Sequence, residues 1–579
     1  MAFHRTIPPP VWAFIFMVLA GLLLLGLSSG EIYPMAWLAA KASEDGHLSE
    51  PFLQQMQKTQ ITLAWCLMAG AVFVWIAPDR AHKALLTISH NRFTALAGIT
   101  AFSLGYLLQQ KLFGGIPHVT DAISHLFQAR ILAMGRWFAP APECPDSFNQ
   151  FHILMTHSGM WFTKYTPGHA ILLALGLKTQ LYPFVVPALS AISTMTLFKL
   201  VLRHEGPTSA RVFAILFSLS PLGLLLSASF MSHVSAMAMA IVGVYCLENV
   251  LNRPAHDPIP AGGSLGAGFF FAFSAMIRPH EFLMIGLIGF LFFCGLSGAT
   301  WRRFIRMLPY CIAGSLPVLV VWGFWNHTLY GNPLAIGYGF SGDDVIHAPY
   351  QGTFGFTEHF GIQEAVSVLV WNLDRVNRSL FGWPVSFLFI PLAFIRRPNR
   401  LTWLSVLGAS VVMGVYFFYH YRAEYESRYY YLALPFLAYL TVRGIKLFAG
   451  IPGPSIRASL ALGLIAAFYM HAGLNYWRDY LIPEYGQRYY FAAHDLHNRI
   501  RAEIDGRALV TIASPSGNAF VYSSGFIHND PLLTNRIIYA RDLPEAYDCL
   551  ATAFPDRKHY RYFGEEDGRG ILTPLMKNP

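Results

Sequence analysis

Long apolar stretches alternate along this chain with short basic connectors and three long polar segments. A bilayer core of about 30 Å takes roughly 20 residues of helix. Stretches of that kind run over 11–30, 61–77, 93–110, 180–202, 209–229, 231–250, 263–279, 281–298, 304–325, 379–395, 401–420, 429–448 and 456–475. The pattern predicts an all-α polytopic membrane protein with about 13 transmembrane helices. The apolar run 168–177 is shorter and suits a re-entrant helix. Segments 111–167, 326–378 and 476–579 are too polar for lipid. The last reads as a small C-terminal α/β domain, with strands expected at 508–513, 520–524, 536–540 and 560–563 and helices at 487–504 and 544–553.

Basic residues set the orientation. With His4 and Arg5 on the cytoplasmic side, Arg80, Lys83 and Arg92 fall inside, followed by Arg203 and Arg211, then Arg302, Arg303 and Arg306. Arg396, Arg397 and Arg400, then Arg443, Lys446 and Arg457, also fall inside, so the three polar segments lie outside. The first apolar stretch has no small-residue cleavage pattern after it and is expected to stay as an anchor. Composition agrees. The chain is 54% hydrophobic and 13% charged, with mean hydropathy +0.41, against about 25% charged in soluble proteins. A single soluble enzyme, a disordered chain and a coiled coil are excluded. The net charge of +9 belongs to cytoplasmic loops and calls for no nucleic-acid partner. Cys66, Cys246, Cys294 and Cys311 lie in spans as packing residues. Cys144 and Cys549 both lie outside, where an oxidising compartment permits a disulfide and two free thiols are the alternative.

The first polar segment carries the densest chemistry. In 118–134, Ile123, Leu126, Phe127, Ile131 and Met134 recur at helical spacing, which predicts an amphipathic helix along the membrane surface. Asp121, His125 and Gln128 share its other face. A carboxylate there can deprotonate an acceptor hydroxyl, although Thr120 or Asp121 could instead cap the helix. His118, Asp121 and His125 could also ligate a metal, but their spacing is not a specific signature. His152, His157 and His169 lie nearby in sequence. Lys164, Tyr165 and His169 flank the Pro167-Gly168 break where the chain re-enters the bilayer. Arg278-Pro279-His280-Glu281 sits between two spans, and Glu426-Ser427-Arg428-Tyr429 precedes another. An Arg at a membrane edge needs a partner, met either by Glu281 or by a ligand phosphate. Several cations on one outer face, opposite an acidic base, suit a lipid-linked phosphate whose tail stays in the bilayer.

Four stretches, in this order, resemble the GT-C superfamily of membrane glycosyltransferases, such as the protein O-mannosyltransferases and the lipid A aminoarabinose transferase. They are Asp121…Phe127-Gln128-Ala129 with Gly135-Arg136, then 164–169 leading into Leu172–Gly176, then Ser220-Pro221…Met231-Ser232-His233, then Arg278-Pro279. Arg428-Tyr429-Tyr430…Leu434-Pro435 and Asn326…Tyr330-Gly331-Asn332-Pro333 add weaker likeness. The resemblance implies a sugar donor on a polyprenyl phosphate, Asp121 as general base, and Lys164, Arg278 and Arg428 on the donor phosphate. His118, His125, Gln128, Tyr165, His169, His233, His280, Glu281 and Tyr429 are further candidates for substrate contact. It implies no cofactor and no required metal, because the leaving group is already a phosphate with no diphosphate charge to offset, and it leaves an unidentified divalent ion open. It implies an extracytoplasmic glycan, lipid or protein as acceptor, and a bacterial inner-membrane location. Relatives often carry a second acidic residue directly after the Asp, where this chain has Ala122, and place the catalytic loop after their first span rather than the third. A lipid or sugar transporter is the alternative class, but the chain shows no internal repeat and its polar groups cluster on one face.

Overall fold

The computed structural model describes residues 9–28, 50–76, 87–254, 257–294, 298–339, 344–346, 354–420, 425–450, 456–486, 489, 494–513, 520–564 and 570–575. Among them four helices are long and apolar enough to cross a membrane: Tyr182–Glu205, Ser232–Leu251, Thr300–Tyr330 and Arg428–Ala449. Pro207–Ser218 and Pro221–Ala228 meet the same criterion only when taken together and are bent by 52° at their break, the geometry of a broken span or a re-entrant loop. The bend has a local cause. The Ser220 hydroxyl accepts from the Gly223 amide and Pro221 takes the first helical position, so a new helix starts where the old one stops. Shorter apolar helices include Gly168–Lys178, Ala261–Ile277 and Arg400–Tyr416. Ala261–Ile277 and Gly298–Tyr330 pack backbone to backbone through Gly268 and Gly314, where any Cβ would strike the facing main chain.

The span expected at 379–395 is corrected. An amphipathic helix, Ile362–Phe381, fills the end of the second polar segment and stops at Gly382, which is left-handed at φ 71°. Pro384 and Pro391 follow, and the apolar stretch is taken up by two short 3-10 turns, Ser386–Phe389 and Pro391–Phe394. Hydropathy had marked the segment as apolar, but Gly and Pro decide that it is not a helix.

The cations assigned to the inner side gather at one end of the helices. Arg203 pairs with Glu248 at 3.0 Å and Lys446 with Glu205 at 2.8 Å. Arg303 donates to the carbonyls of Val250 (2.6 Å) and Pro254 (2.7 Å), and Arg443 to that of Ala393 (3.1 Å).

Within the first polar segment, three short strands, β1 (Ala139–Pro140), β2 (Ile153–Met155) and β3 (Met160–Thr163), form an antiparallel sheet in the order β1-β3-β2. The tail carries β4 (Ala508–Ala513), β5 (Ile537–Arg541), β6 (Lys558–Gly564) and β7 (Gly570–Pro574) in the order β5-β4-β6-β7. β4 pairs in parallel with β5 and β6, whereas β6 and β7 are antiparallel. The strand expected at 520–524 is instead the helix Phe520–Phe526, which packs against β4 and β5. A parallel pair needs such a crossover. Part of the helix expected at 487–504 lies outside the described residues, and His494–Glu503 is helical.

The largest correction concerns the helix Thr120–Ala133. It forms as expected, but it does not lie on lipid. Ile123, Phe127 and Ile131 share one hydrophobic core with Phe148, Trp161 and the tail residues Leu496, Ile500, Val510 and Phe526. The rings of Phe127 and Phe526 are 5.5 Å apart. Cys144 and Cys549 are joined as a disulfide across the same contact. The first polar segment and the tail are therefore one packed body.

Candidate functional site

Asp121 is the second residue of Thr120–Ala133, where the helix dipole favours a carboxylate. The helix has no side-chain cap. Asp121 turns instead to residues brought from far along the chain. The Tyr165 hydroxyl donates to Oδ1 at 2.5 Å, Arg428 Nη2 lies 3.5 Å from Oδ2, and His152 Nε2 lies 3.8 Å from it. Two features deliver Tyr165. β3 runs antiparallel to β2, and the Lys164 amide bonds the His152 carbonyl at 3.0 Å, so the chain leaves the sheet with Lys164 and Tyr165 in place. Pro167 then caps Gly168–Lys178. The Lys164 ammonium stands over the rings of Tyr165 (5.4 Å) and Tyr338 (5.8 Å).

Arg278 follows the end of Ala261–Ile277. Its Nε donates to Glu281 Oε1 at 2.5 Å, its Nη1 to Ser232 Oγ at 3.2 Å, and its Nη2 lies 3.1 Å from His280 Nε2. Arg428 lies over Tyr429 at 5.2 Å, and Tyr429 stacks on Tyr416 at 5.2 Å. The His233 ring is 6.3 Å from Tyr429, and neither of its buried nitrogens has a partner among the described residues. Tyr338 lies within electrostatic reach of both Asp121 and Arg278, linking the two groups of charges. Asp121 keeps 20% of its side chain exposed, while Arg428 keeps 3%.

The electrostatics are lopsided. Burial alone would raise the Asp121 pKa, but Arg428, His152, the Tyr165 hydroxyl and Lys164 together hold it well below the usual carboxylate range. Burial, against the pull of Asp121, lowers His152 to about 4 and Lys164 to about 8. Burial and Asp121 push the Tyr165 hydroxyl well up, so it stays a donor. Lys164 thus loses its proton just above neutrality. An anionic ligand should bind progressively less well as pH rises through about 8, and Lys164→Arg should remove that limb, because a guanidinium keeps its charge. Initial rates or ligand affinity between pH 7 and 10 check this.

Three candidates have structural roles here. His118 places its two ring nitrogens 2.8 Å from the carbonyls of Phe113 and Tyr489. Gln128 ties the helix to the sheet, donating to the Trp137 carbonyl at 2.9 Å and accepting from the Thr163 amide at 3.0 Å. His169 lies 2.9 Å from both the Phe230 carbonyl and the Ser235 hydroxyl. His125 packs on Tyr165 (4.6 Å) and on His169 (4.9 Å), behind the tyrosine. The metal reading of His118, Asp121 and His125 is not supported by their placement, since His118 is bound to backbone elsewhere.

No family profile and no curated protein matches the chain by sequence. Two solved structures match its fold over most of both chains. ArnT from Cupriavidus metallidurans in the apo state covers 82% of this chain and 92% of its own, at 10% identity and TM-score 0.51. The same protein bound to undecaprenyl phosphate matches over the same shares at 9% identity and TM-score 0.51. Over these shares the chain has the fold of ArnT. Within this fold, the residues that sequence reasoning passed over are Tyr338, Tyr416 and, as a neighbour of Asp121, His152. Their signal is faint: each is an aromatic or imidazole in a polar or interfacial stretch rich in such residues, and only the fold selects these three.

Proposed function

We propose that the chain is an inverting glycosyltransferase that moves a sugar from a polyprenyl-phosphate donor to a hydroxyl of an extracytoplasmic glycan, lipid or protein. The observation that carries the reading is a partly exposed carboxylate, Asp121, ringed by Lys164 and Arg428, with Arg278 linked to it through Tyr338 and Tyr429. That ArnT binds undecaprenyl phosphate on this fold supports the donor class.

The acceptor oxygen attacks the anomeric carbon while Asp121 takes its proton. The bond from that carbon to the phosphate oxygen breaks on the opposite side, and the polyprenyl phosphate leaves carrying the electron pair. Lys164, Arg278 and Arg428 stabilise that developing charge. A carboxylate held by Arg428 is a weak base. An arriving phosphate competes for the same guanidinium, and once Arg428 turns to it, Asp121 recovers proton affinity. The base is thereby strengthened only when the donor is seated. His233 and Tyr429 lie beside Arg428 and Arg278 and suit contact with the donor. The site and the tail face the periplasm in this reading, and the N-terminus faces the cytoplasm.

Purified protein supplied with a polyprenyl-phosphate sugar and a mixture of envelope acceptors should form a new glycosidic bond of inverted configuration. Reconstituted vesicles that move the lipid across the bilayer without making such a bond would replace this reading with transport.

A further inference from the structure

Arg428 reaches Asp121 from an unusual piece of backbone. Three and two positions ahead of it, Tyr425 and Glu426 both adopt left-handed conformations, with φ of 52° and 58°. Neither is glycine, and consecutive residues in this region persist only where their surroundings hold them. Three successive side chains do the holding. The Tyr425 ring sits 5.8 Å from Tyr485 and 5.1 Å from Tyr489, and edge-on to Phe113 at 5.5 Å. The Ser427 hydroxyl donates to the Asn372 carbonyl at 3.1 Å.

Glu426 is the centre of the arrangement, at 1% exposure. Its Oε1 accepts from Tyr480 at 2.7 Å, from Tyr485 at 3.1 Å and from Arg375 at 3.3 Å. Its own amide donates to the Tyr485 hydroxyl at 2.9 Å. Arg375 also contacts the Tyr480 hydroxyl, so the donors brace one another. Arg375 comes from the amphipathic helix Ile362–Phe381, and Tyr480 and Tyr485 come from the helical stretch that leads into the tail. None of these groups touches Asp121, and the mechanism above uses none of them.

We propose that Glu426 is a positioning residue: its buried carboxylate clamps the left-handed turn that carries Arg428 to Asp121, so that two elements outside the reacting centre set how firmly the site holds an anion. The inference rests on the glycosyl-transfer reading only for its consequence in donor binding. The geometry of the clamp stands apart from it. The groups facing Asp121 are Arg428, His152, Tyr165 and Lys164 and, at longer range, Tyr338, Tyr419, His125 and His233, and those facing Glu426 are Arg375, Tyr480, Tyr485 and, at longer range, Tyr476. Loosening the turn changes only the first member of the Asp121 set.

The full-length protein and its E426A and E426Q forms test this with two readouts. Carbodiimide couples amines to protonated carboxyls, so peptide mass spectrometry of residues 120–130 against pH reports where Asp121 takes up its proton. With Arg428 released, the labelling midpoint of E426A should rise by about one pH unit, the tenfold change in proton affinity expected for losing one charged neighbour. Its affinity for undecaprenyl phosphate should fall roughly tenfold, as for one charge-assisted contact. E426Q keeps an oxygen acceptor for Tyr480 and Tyr485 and should restore most of both. A folded E426A with an unmoved labelling midpoint overturns the proposal. Should E426A fail to fold, Tyr480→Phe removes one donor from the clamp and should move the midpoint in the same direction by less, and no movement there overturns it equally. A shifted midpoint in a protein that binds no undecaprenyl phosphate in any form would uphold the clamp and refute the glycosyl-transfer reading.

Discussion

Asp121→Asn should reduce sugar transfer by roughly 10²–10⁴-fold, the range for loss of a general base, while leaving the fold intact. The amide keeps the size of the carboxylate and can still accept from the Tyr165 hydroxyl, which lies 2.5 Å from Oδ1. What it loses is the capacity to take a proton. It also loses the charge that faces Arg428 at 3.5 Å, so the guanidinium becomes freer for an anion. Donor affinity should therefore hold or improve as kcat falls. That split distinguishes a base from a residue that merely supports the site, whose loss would raise KM as well. Initial rates and undecaprenyl phosphate binding, measured on the same preparation, decide the matter. Equal rates for the two proteins would remove Asp121 from the reaction.

Arg278→Met should be the most destabilising single change near the site. Arg278 and Glu281 are 9% and 4% exposed and 2.5 Å apart. Removing the cation strands a carboxylate in an apolar setting, at a cost of about 3–5 kcal/mol. The Ser232 hydroxyl and His280 lose a partner too. The unfolding midpoint in detergent should drop sharply for Arg278→Met. It should recover in the double change Arg278→Met with Glu281→Leu, since replacing both partners of a buried pair by apolar residues is often neutral or stabilising. If the pair also serves the donor, the double variant should be stable yet weak for undecaprenyl phosphate. A stable Arg278→Met would show that Glu281 has another partner or is itself protonated.

The parts of this protein legible in its sequence are those governed by local pattern. Bilayer-length apolar runs mark the helices, and the alternation of basic connectors matches the gathering of Arg203, Arg303, Arg443 and Lys446 at one end. Lys164, Arg278 and Arg428 could be nominated as cations at membrane edges and Asp121 from the polar face of its helix, and the family resemblance supplied the roles of all four. What sequence could not supply is the identity of the neighbour. The stripe Ile123, Phe127 and Ile131 has the periodicity of a lipid-facing helix, and nothing in that spacing distinguishes lipid from a domain encoded nearly 400 residues later. The same limit applies to His118 and Gln128. Their polarity marks them for function, but a buried imidazole or amide serves equally well for pairing backbone groups, and only the fold shows carbonyls on both sides of His118. At 379–395 the error was of another kind: apolarity was weighed above the Gly and Pro residues that interrupt it.

The disulfide and the core shared between Thr120–Ala133 and the tail bear on how the protein matures. During synthesis the segment with Asp121 is made early, while the strands and helices that must cover its apolar side are still to be translated. Until the last hundred or so residues emerge, that side of the segment has no partner but water, lipid or a chaperone. Assembly of the body that carries Asp121 thus waits on the end of translation, and a chain stalled or clipped before β4 would lack the core that covers Thr120–Ala133.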